Sequence, residues 1–119
     1  MKERYINWAN KFFESWKNLE GVKTTELFAK DVEYYETALG SPCQSFDEVV
    51  ALWAVVPQNQ SNITYSYEIV AFNEERCVLN WRMSRTLANG THQHIDGIIV
   101  FALDDNNLCK FFKQWRYTE

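Results

Sequence analysis

Apolar residues recur at three- and four-residue steps from Tyr5 to Leu19. Tyr5, Trp8, Phe12, Trp16 and Leu19 make one stripe, Ile6, Ala9 and Phe13 widen it, and Lys2, Glu3, Lys11, Glu14 and Lys17 fall opposite. That spacing predicts an amphipathic helix over residues 2–19, ended by Gly21. A short helix over about Thr24–Ala29, opened by the threonine pair, and a strand over Val32–Glu36 follow. Thr37–Gln44, with Gly40 and Pro42, reads as a loop. Ser45-Phe-Asp-Glu48 is a capping box that opens a third helix running to about Val56, where Pro57 stops it. Leu52, Trp53 and Val56 give that helix its buried side.

Beyond Ser61 the period changes to two. Strands are expected over about Ile63–Phe72, Cys77–Leu87, Thr91–Leu103 and Leu108–Tyr117, with turns at Asn73–Arg76, Asn89-Gly90 and Asp104–Asn107. Asn-Gly is the strongest two-residue hairpin signal, because both positions take positive φ. A two-residue turn there sets Arg85 opposite His94, Met83 opposite Asp96 and Trp81 opposite Ile98. A turn centred on Asp105-Asn106 sets Asp96 opposite Trp115, His94 opposite Tyr117 and Val100 opposite Phe111. One face then collects Trp81, Met83, Arg85, His94, Asp96, Trp115 and Tyr117, and Ile95, Ile99, Phe101 and Phe112 fall on the other. An odd-length loop at either turn would reverse a strand and break this set. Lys113, opposite Ile98 on the pocket side, needs an acid beside it or a different last register.

Helices followed by a long meander make an α+β domain. The expectation is one domain over 1–119: three helices packed on a strongly curved antiparallel sheet, a cystatin-like cone with an internal pocket. Gly97, in mid-strand, marks a possible bulge or bend. Aromatic residues reach 16% of the 119 positions, more than a minimal core requires, so some are expected to line a cavity or a subunit interface. A net charge of −4 with scattered Lys and Arg speaks against nucleic acid and anionic membrane as partners. The longest apolar run, Val49–Val56, is too short to span a bilayer, and the stretch MKERYINW is charged and then amphipathic, without the apolar h-region or small-residue cleavage site of a signal peptide. A cytoplasmic location is therefore expected, with Cys43, Cys77 and Cys109 as reduced packing residues.

The landmarks of aromatic helix, LFAKDVEYYE, capped SFDEVVALW, IDG before an apolar run, and terminal FFKQWR resemble the nuclear-transport-factor-2-like superfamily. The likeness is to its SnoaL-like and ketosteroid-isomerase-like members and covers nearly the whole chain. The resemblance implies that Asp96 is the pocket acid and Glu36 the counterpart of the isomerase general base. Where the isomerases place a tyrosine on the first helix, this chain has Phe12, which lacks the hydroxyl. Superfamily functions include isomerases, cyclases, dehydratases, epoxide hydrolases and binders without turnover.

The candidate catalytic residues are Asp96, His94 and Glu36, with Arg85, Trp81, Met83, Trp115, Tyr117, Trp53, Trp16 and Phe12 as candidate ligand contacts. In an apolar cone the Asp96 carboxyl holds its proton to higher pH and can act as an acid; paired with Arg85 or Trp115 it is instead an ionised structural group. His94 serves as a base, or bonds Asp96 or Tyr117. Glu36 faces the cavity as a base, or sits solvated at a strand end. His92, His94 and Asp96 alternate on one strand, but no separate Cys/His cluster completes a metal site, so no metal is expected. Nucleophilic catalysis is unsupported, since nucleophile elbow and phosphate-binding glycine loop are both missing, and general acid–base work would need no cofactor. The expectation is a small-molecule-binding protein, homodimeric through the outer sheet face; if it is an enzyme, its chemistry is cofactor-independent acid–base work of the isomerase, cyclase, dehydratase or hydrolase type on a small apolar or aromatic substrate. A non-catalytic ligand-binding or dimerisation module with the same fold is the alternative.

Overall fold

The computed structural model describes residues 2–119 apart from 38, 41, 44 and 56–58. Its elements run α1 (Lys2–Lys17), α2 (Gly21–Thr25), β1 (Phe28–Tyr35), α3 (Phe46–Val55), β2 (Gln60–Phe72), β3 (Cys77–Leu87), β4 (His92–Leu103) and β5 (Cys109–Thr118). The strands form one sheet in the order β1-β5-β4-β3-β2. This is the expected α+β architecture, with one change of detail: β2 to β5 are antiparallel, but β1 lies parallel to β5. The sheet is mixed because β1 enters at the far edge, before the meander begins.

The aromatic stripe of α1 is the centre of the core. Trp8 stacks on Phe101 of β4 and meets Phe112 of β5, Phe13 stacks on Tyr65 and Tyr67 of β2, and Trp16 packs on Trp81 of β3. A helix that touches β2 through β5 with one face requires a sheet that wraps around it, and rings of this size supply the contact area. Val49 and Trp53 bury the inner side of α3.

Helix ends depart from expectation. It is Leu19, at φ 59°, that takes the left-handed position after α1, while Gly21 opens α2. The bonds Leu19 N–H to Trp16 O and Glu20 N–H to Ser15 O form the paired closure that usually places glycine at this position. Thr24 and Thr25 lie inside α2, and the Thr24 hydroxyl is buried against Ser15 Oγ at 2.6 Å. Ser45 caps α3 as expected, accepting from Glu48 N–H at 3.3 Å. The expected stop at Pro57 and the burial of Val56 lie outside the described residues.

The β3–β4 and β4–β5 hairpins close on three-residue loops. Leu87 N–H donates to Thr91 O and Gly90 N–H to Leu87 O, with Gly90 at φ 87°. Likewise Asp104 N–H donates to Leu108 O and Asn107 N–H to Asp104 O, with Asn107 at φ 62°. A turn followed by one left-handed residue is the standard three-residue hairpin. The extra residue moves the β3–β4 pairing by one: Arg82 faces Asp96, Ser84 faces His94, and Trp81 faces Gly97. Ile95, Ile99 and Phe101 thereby turn inward and are buried, and His92, His94 and Asp96 turn outward. The second loop adds a further one-residue shift, which a bulge between Ala102 and Leu103 offsets in parity. Trp115 and Tyr117 therefore share a face with Asp96, as expected, but that face is the outer one.

No bulge occurs at Gly97. Space is what it provides: a Cβ there would sit 2.5 Å from Trp81 Nε1 and 2.7 Å from Trp115 O. No helix among the described residues is long and apolar enough to cross a membrane.

Candidate functional site

Between α1, α3 and the concave side of the sheet lies a cavity of about 220 Å³. Phe12 and Trp16 reach it from α1, Leu52 and Trp53 from α3, Asn59 and Gln60 from the start of β2, Arg85 and Leu87 from β3, Glu36 from the end of β1, and Gln114 and Arg116 from β5. Strand alternation explains the last group. Tyr34 pairs with Phe112 in the parallel register, so one step of two residues sets Glu36 beside Gln114. Gln114 Nε2 donates to Glu36 Oε1 at 2.6 Å.

Glu36 has the most developed surroundings. Besides Gln114, the Tyr34 hydroxyl donates to its Oε2 at 2.9 Å, and Trp53 Nε1 donates in turn to the Tyr34 oxygen at 3.2 Å. Arg116 Nη2 stands 3.8 Å from Oε1. Burial raises the Glu36 carboxyl above its ordinary value, and the Tyr34, Arg116 and Gln114 contacts hold the rise in check. The side chain is still 32% exposed, so solvent reaches it from the mouth of the cavity and tempers the shift. Tyr34 itself is fully enclosed; burial first, then the adjacent carboxylate, keep it a neutral donor at all ordinary pH.

Arg85 is the second feature. Its Nε donates to Gln93 Oε1 and its Nη1 to Gln60 Oε1, each at 3.0 Å, and Gln60 also accepts from Trp16 Nε1 at 3.2 Å. Desolvation and the positive charge of Arg116 both disfavour its protonated form, with Glu36 opposing them from a distance. Gln114 Oε1 is buried and has no hydrogen-bond partner among the described residues.

Glu36, Arg85, Trp53, Trp16 and Phe12, all anticipated, meet in this cavity. Trp81 and Met83 point inward but are core, packed away from it. The other anticipated residues lie elsewhere, because the β4 faces are exchanged. Asp96, 53% exposed, pairs with Arg82 at 3.3 Å and accepts from Asn80 Nδ2 at 2.7 Å. His94 bonds Ser84 and His92 bonds Thr86, both on the outer face. Trp115 and Tyr117 are 43% and 67% exposed. Lys113 also lies outward, over the Tyr35 and Trp115 rings, so it needs no buried acid. Asp96, His94, Trp115 and Tyr117 are thus corrected from cavity lining to outer surface. Among the described residues no group of three or more His, Cys, Asp or Glu comes together as a metal site.

Sequence reasoning missed Tyr34, Gln60, Gln114 and Arg116. The signal for Tyr34 was available, since it sits two residues before Glu36 on the same strand face. Gln114 and Arg116 carried the wrong parity once a two-residue turn was assumed.

A family model described as the SnoaL-like domain matches residues 9–111. No match appears among curated proteins. Solved structures of the same fold include SalBIII, described as an epoxide hydrolase/cyclase-like enzyme in pyran ring formation in polyether salinomycin. It is 11% identical, with TM-score 0.83, over 98% of this chain and 92% of that one. The Δ5-3-ketosteroid isomerase from a Mycobacterium species, 11% identical, has TM-score 0.79 over 98% of both chains. RV0760c from Mycobacterium tuberculosis, in complex with estradiol-17β-hemisuccinate, is also 11% identical, with TM-score 0.78 over 94% of this chain and 92% of that one.

Proposed function

The chain belongs to the SnoaL-like domain family, and from that premise we propose that it acts on a small organic molecule held in the inner cavity, with Glu36 moving a proton. The observation that carries this reading is a carboxylate at the wall of an aromatic hollow, raised by burial and oriented by Tyr34 and Gln114. A base whose affinity for protons is raised toward neutrality is better matched to proton transfer at working pH. Arg85, across the hollow, supplies positive charge where an enolate, alkoxide or carboxylate would develop. The reaction class is cofactor-independent acid–base chemistry: isomerisation, dehydration, cyclisation or hydrolysis. At about 220 Å³ the cavity is below the range of drug-sized ligand sites, which suits a one-ring or short-chain substrate better than a steroid.

The test has two readouts. Carboxyl NMR should place the Glu36 midpoint above its ordinary 4.5. In deuterated solvent, a panel of small ketones, enones and epoxides should include at least one that exchanges or turns over, with Glu36→Gln slowing it by roughly 10²–10⁴-fold. A midpoint at or below 4.5, or turnover unchanged in Glu36→Gln, sinks the proposal.

One observation favours a binder without turnover: both Glu36 oxygens already accept a hydrogen bond. In that reading Glu36 orients the ligand, and Glu36→Gln weakens binding while no panel member reacts.

A second property is proposed for the outer face. Trp115 and Tyr117 are exposed there, and Tyr117 joins Arg82, His94 and Asp96 in lining a shallow hollow of about 530 Å³. Apolar rings beside paired charges suit a self-complementary contact, so a homodimer through this face is the expected assembly. Light scattering should give twice the chain mass, falling to the monomer in Trp115→Lys. A monomeric wild type refutes it.

A further inference from the structure

Resting on the cavity reading above, we infer that the natural ligand is a small organic carboxylate whose anionic group is received by Arg85. Three features of the wall converge on this. First, Arg85 is a partly buried guanidinium held only by neutral amides, Gln60 and Gln93, and no carboxylate among the described residues lies within ion-pair distance of it. A cation partly withdrawn from water, with Glu36 acting on it only from beyond ion-pair distance, is costly, and the cost is lifted when an anion arrives. Second, the charged groups lining the hollow are Glu36, Arg85 and Arg116. Arg116, at the rim, stands 3.8 Å from Glu36, so the single carboxylate is already engaged and the remaining positive charge is that of Arg85.

Third, Gln114 Oε1 is a buried acceptor without a donor among the described residues, on the same wall. Its Nε2 is committed to Glu36, so it keeps this orientation while Glu36 is ionised. The ligand that completes the wall therefore brings an anion to Arg85 and a hydroxyl or N–H to Gln114. Phe12, Trp16 and Trp53 take its apolar body. Arg85 keeps N–H donors beyond the two it uses on the glutamines, and a planar guanidinium pairs best with a planar carboxylate. The volume, roughly that of seven liquid waters, admits one ring plus its carboxylate.

The probes are benzoate, benzyl alcohol, benzylammonium and inorganic phosphate, measured by thermal shift and calorimetry in low-chloride buffer. Benzoate should bind roughly tenfold or more tightly than benzyl alcohol, and benzylammonium and phosphate should not compete with it. Arg85→Gln should bring benzoate down to the level of the alcohol, and Arg85→Lys should retain part of the preference. On wild type alone, benzoate should shift the indole N–H resonance of Trp16, which shares Gln60 with Arg85. That readout decides the matter even if Arg85→Gln does not fold. Equal binding of benzoate and benzyl alcohol overturns this inference and leaves the cavity reading standing; no binding by any probe overturns both. Phosphate binding as tight as benzoate, or saturation by benzoate without movement of the Trp16 resonance, also overturns it.

Discussion

Trp81 lies directly over Gly97, its partner across the β3–β4 ladder, and the indole edge occupies the space a side chain would need. Gly97→Ala should therefore destabilise the fold by about 1–3 kcal/mol in urea titration. In a Trp81→Phe background the alanine penalty should shrink without vanishing, because the new Cβ still meets Trp115 O at 2.7 Å. An unchanged penalty would mean that the indole is not what excludes the methyl group.

Glu36 gives the fold a pH dependence of known sign. Its carboxyl is raised in the folded chain, so the folded state holds the proton more tightly than the unfolded one. The stability this contributes is complete below the unfolded value of 4.5 and is lost as pH rises through the folded midpoint. Subtracting the unfolding free energy of Glu36→Gln from that of wild type should leave a difference that falls with pH across this window and is flat above it. A rising difference would contradict the assignment of burial as the main cause.

Gln114 acts on that same carboxyl by donating to it. Removing the donor in Gln114→Leu should push the Glu36 midpoint higher still, since the bond favours the ionised form. Carboxyl NMR reads this directly; a lower midpoint would show that Gln114 does not donate to Glu36 in solution.

Asp96 is predicted to matter little to the cavity. Its pair with Arg82 is solvent-exposed, and exposed ion pairs contribute about 0–1 kcal/mol. Asp96→Asn should keep benzoate affinity and stay within that margin of wild-type stability. A collapse of binding would restore Asp96 to the site.

Leu19 is held at φ 59° after α1, where residues with a Cβ are strained. Leu19→Gly should raise stability by about 0.5–1 kcal/mol, the relieved strain outweighing the added freedom of the unfolded chain. Thermal melts settle it, and a loss would mean that the half-exposed leucine contributes more by packing than it costs.

Much of the fold was legible because long periodic segments state their own type. The α1 stripe, the Ser45 cap and the strands from Cys77 onward fall within a residue or two of their expected limits. Pairing register was not legible to the same depth. Asn89-Gly90 fits a two-residue and a three-residue loop alike, and the choice rests on whether the apolar set Ile95, Ile99 and Phe101 or the polar set His94 and Asp96 is buried. The first set wins on buried apolar area. Glu36 and Arg85 were found because both keep their faces in either register. The cavity residues on β5 were missed because their placement inherits the β4 error.

Ala88-Asn89-Gly90 has a consequence for how this chain tolerates change. Loss of one codon there would ask β4 to exchange interior for exterior at every position, sending Phe101 into water and His94 toward the rings of α1. No single replacement elsewhere on the strand has that reach. Relatives descending from this sequence should accumulate substitutions along β4 freely on its wet side, yet keep the length of this loop fixed.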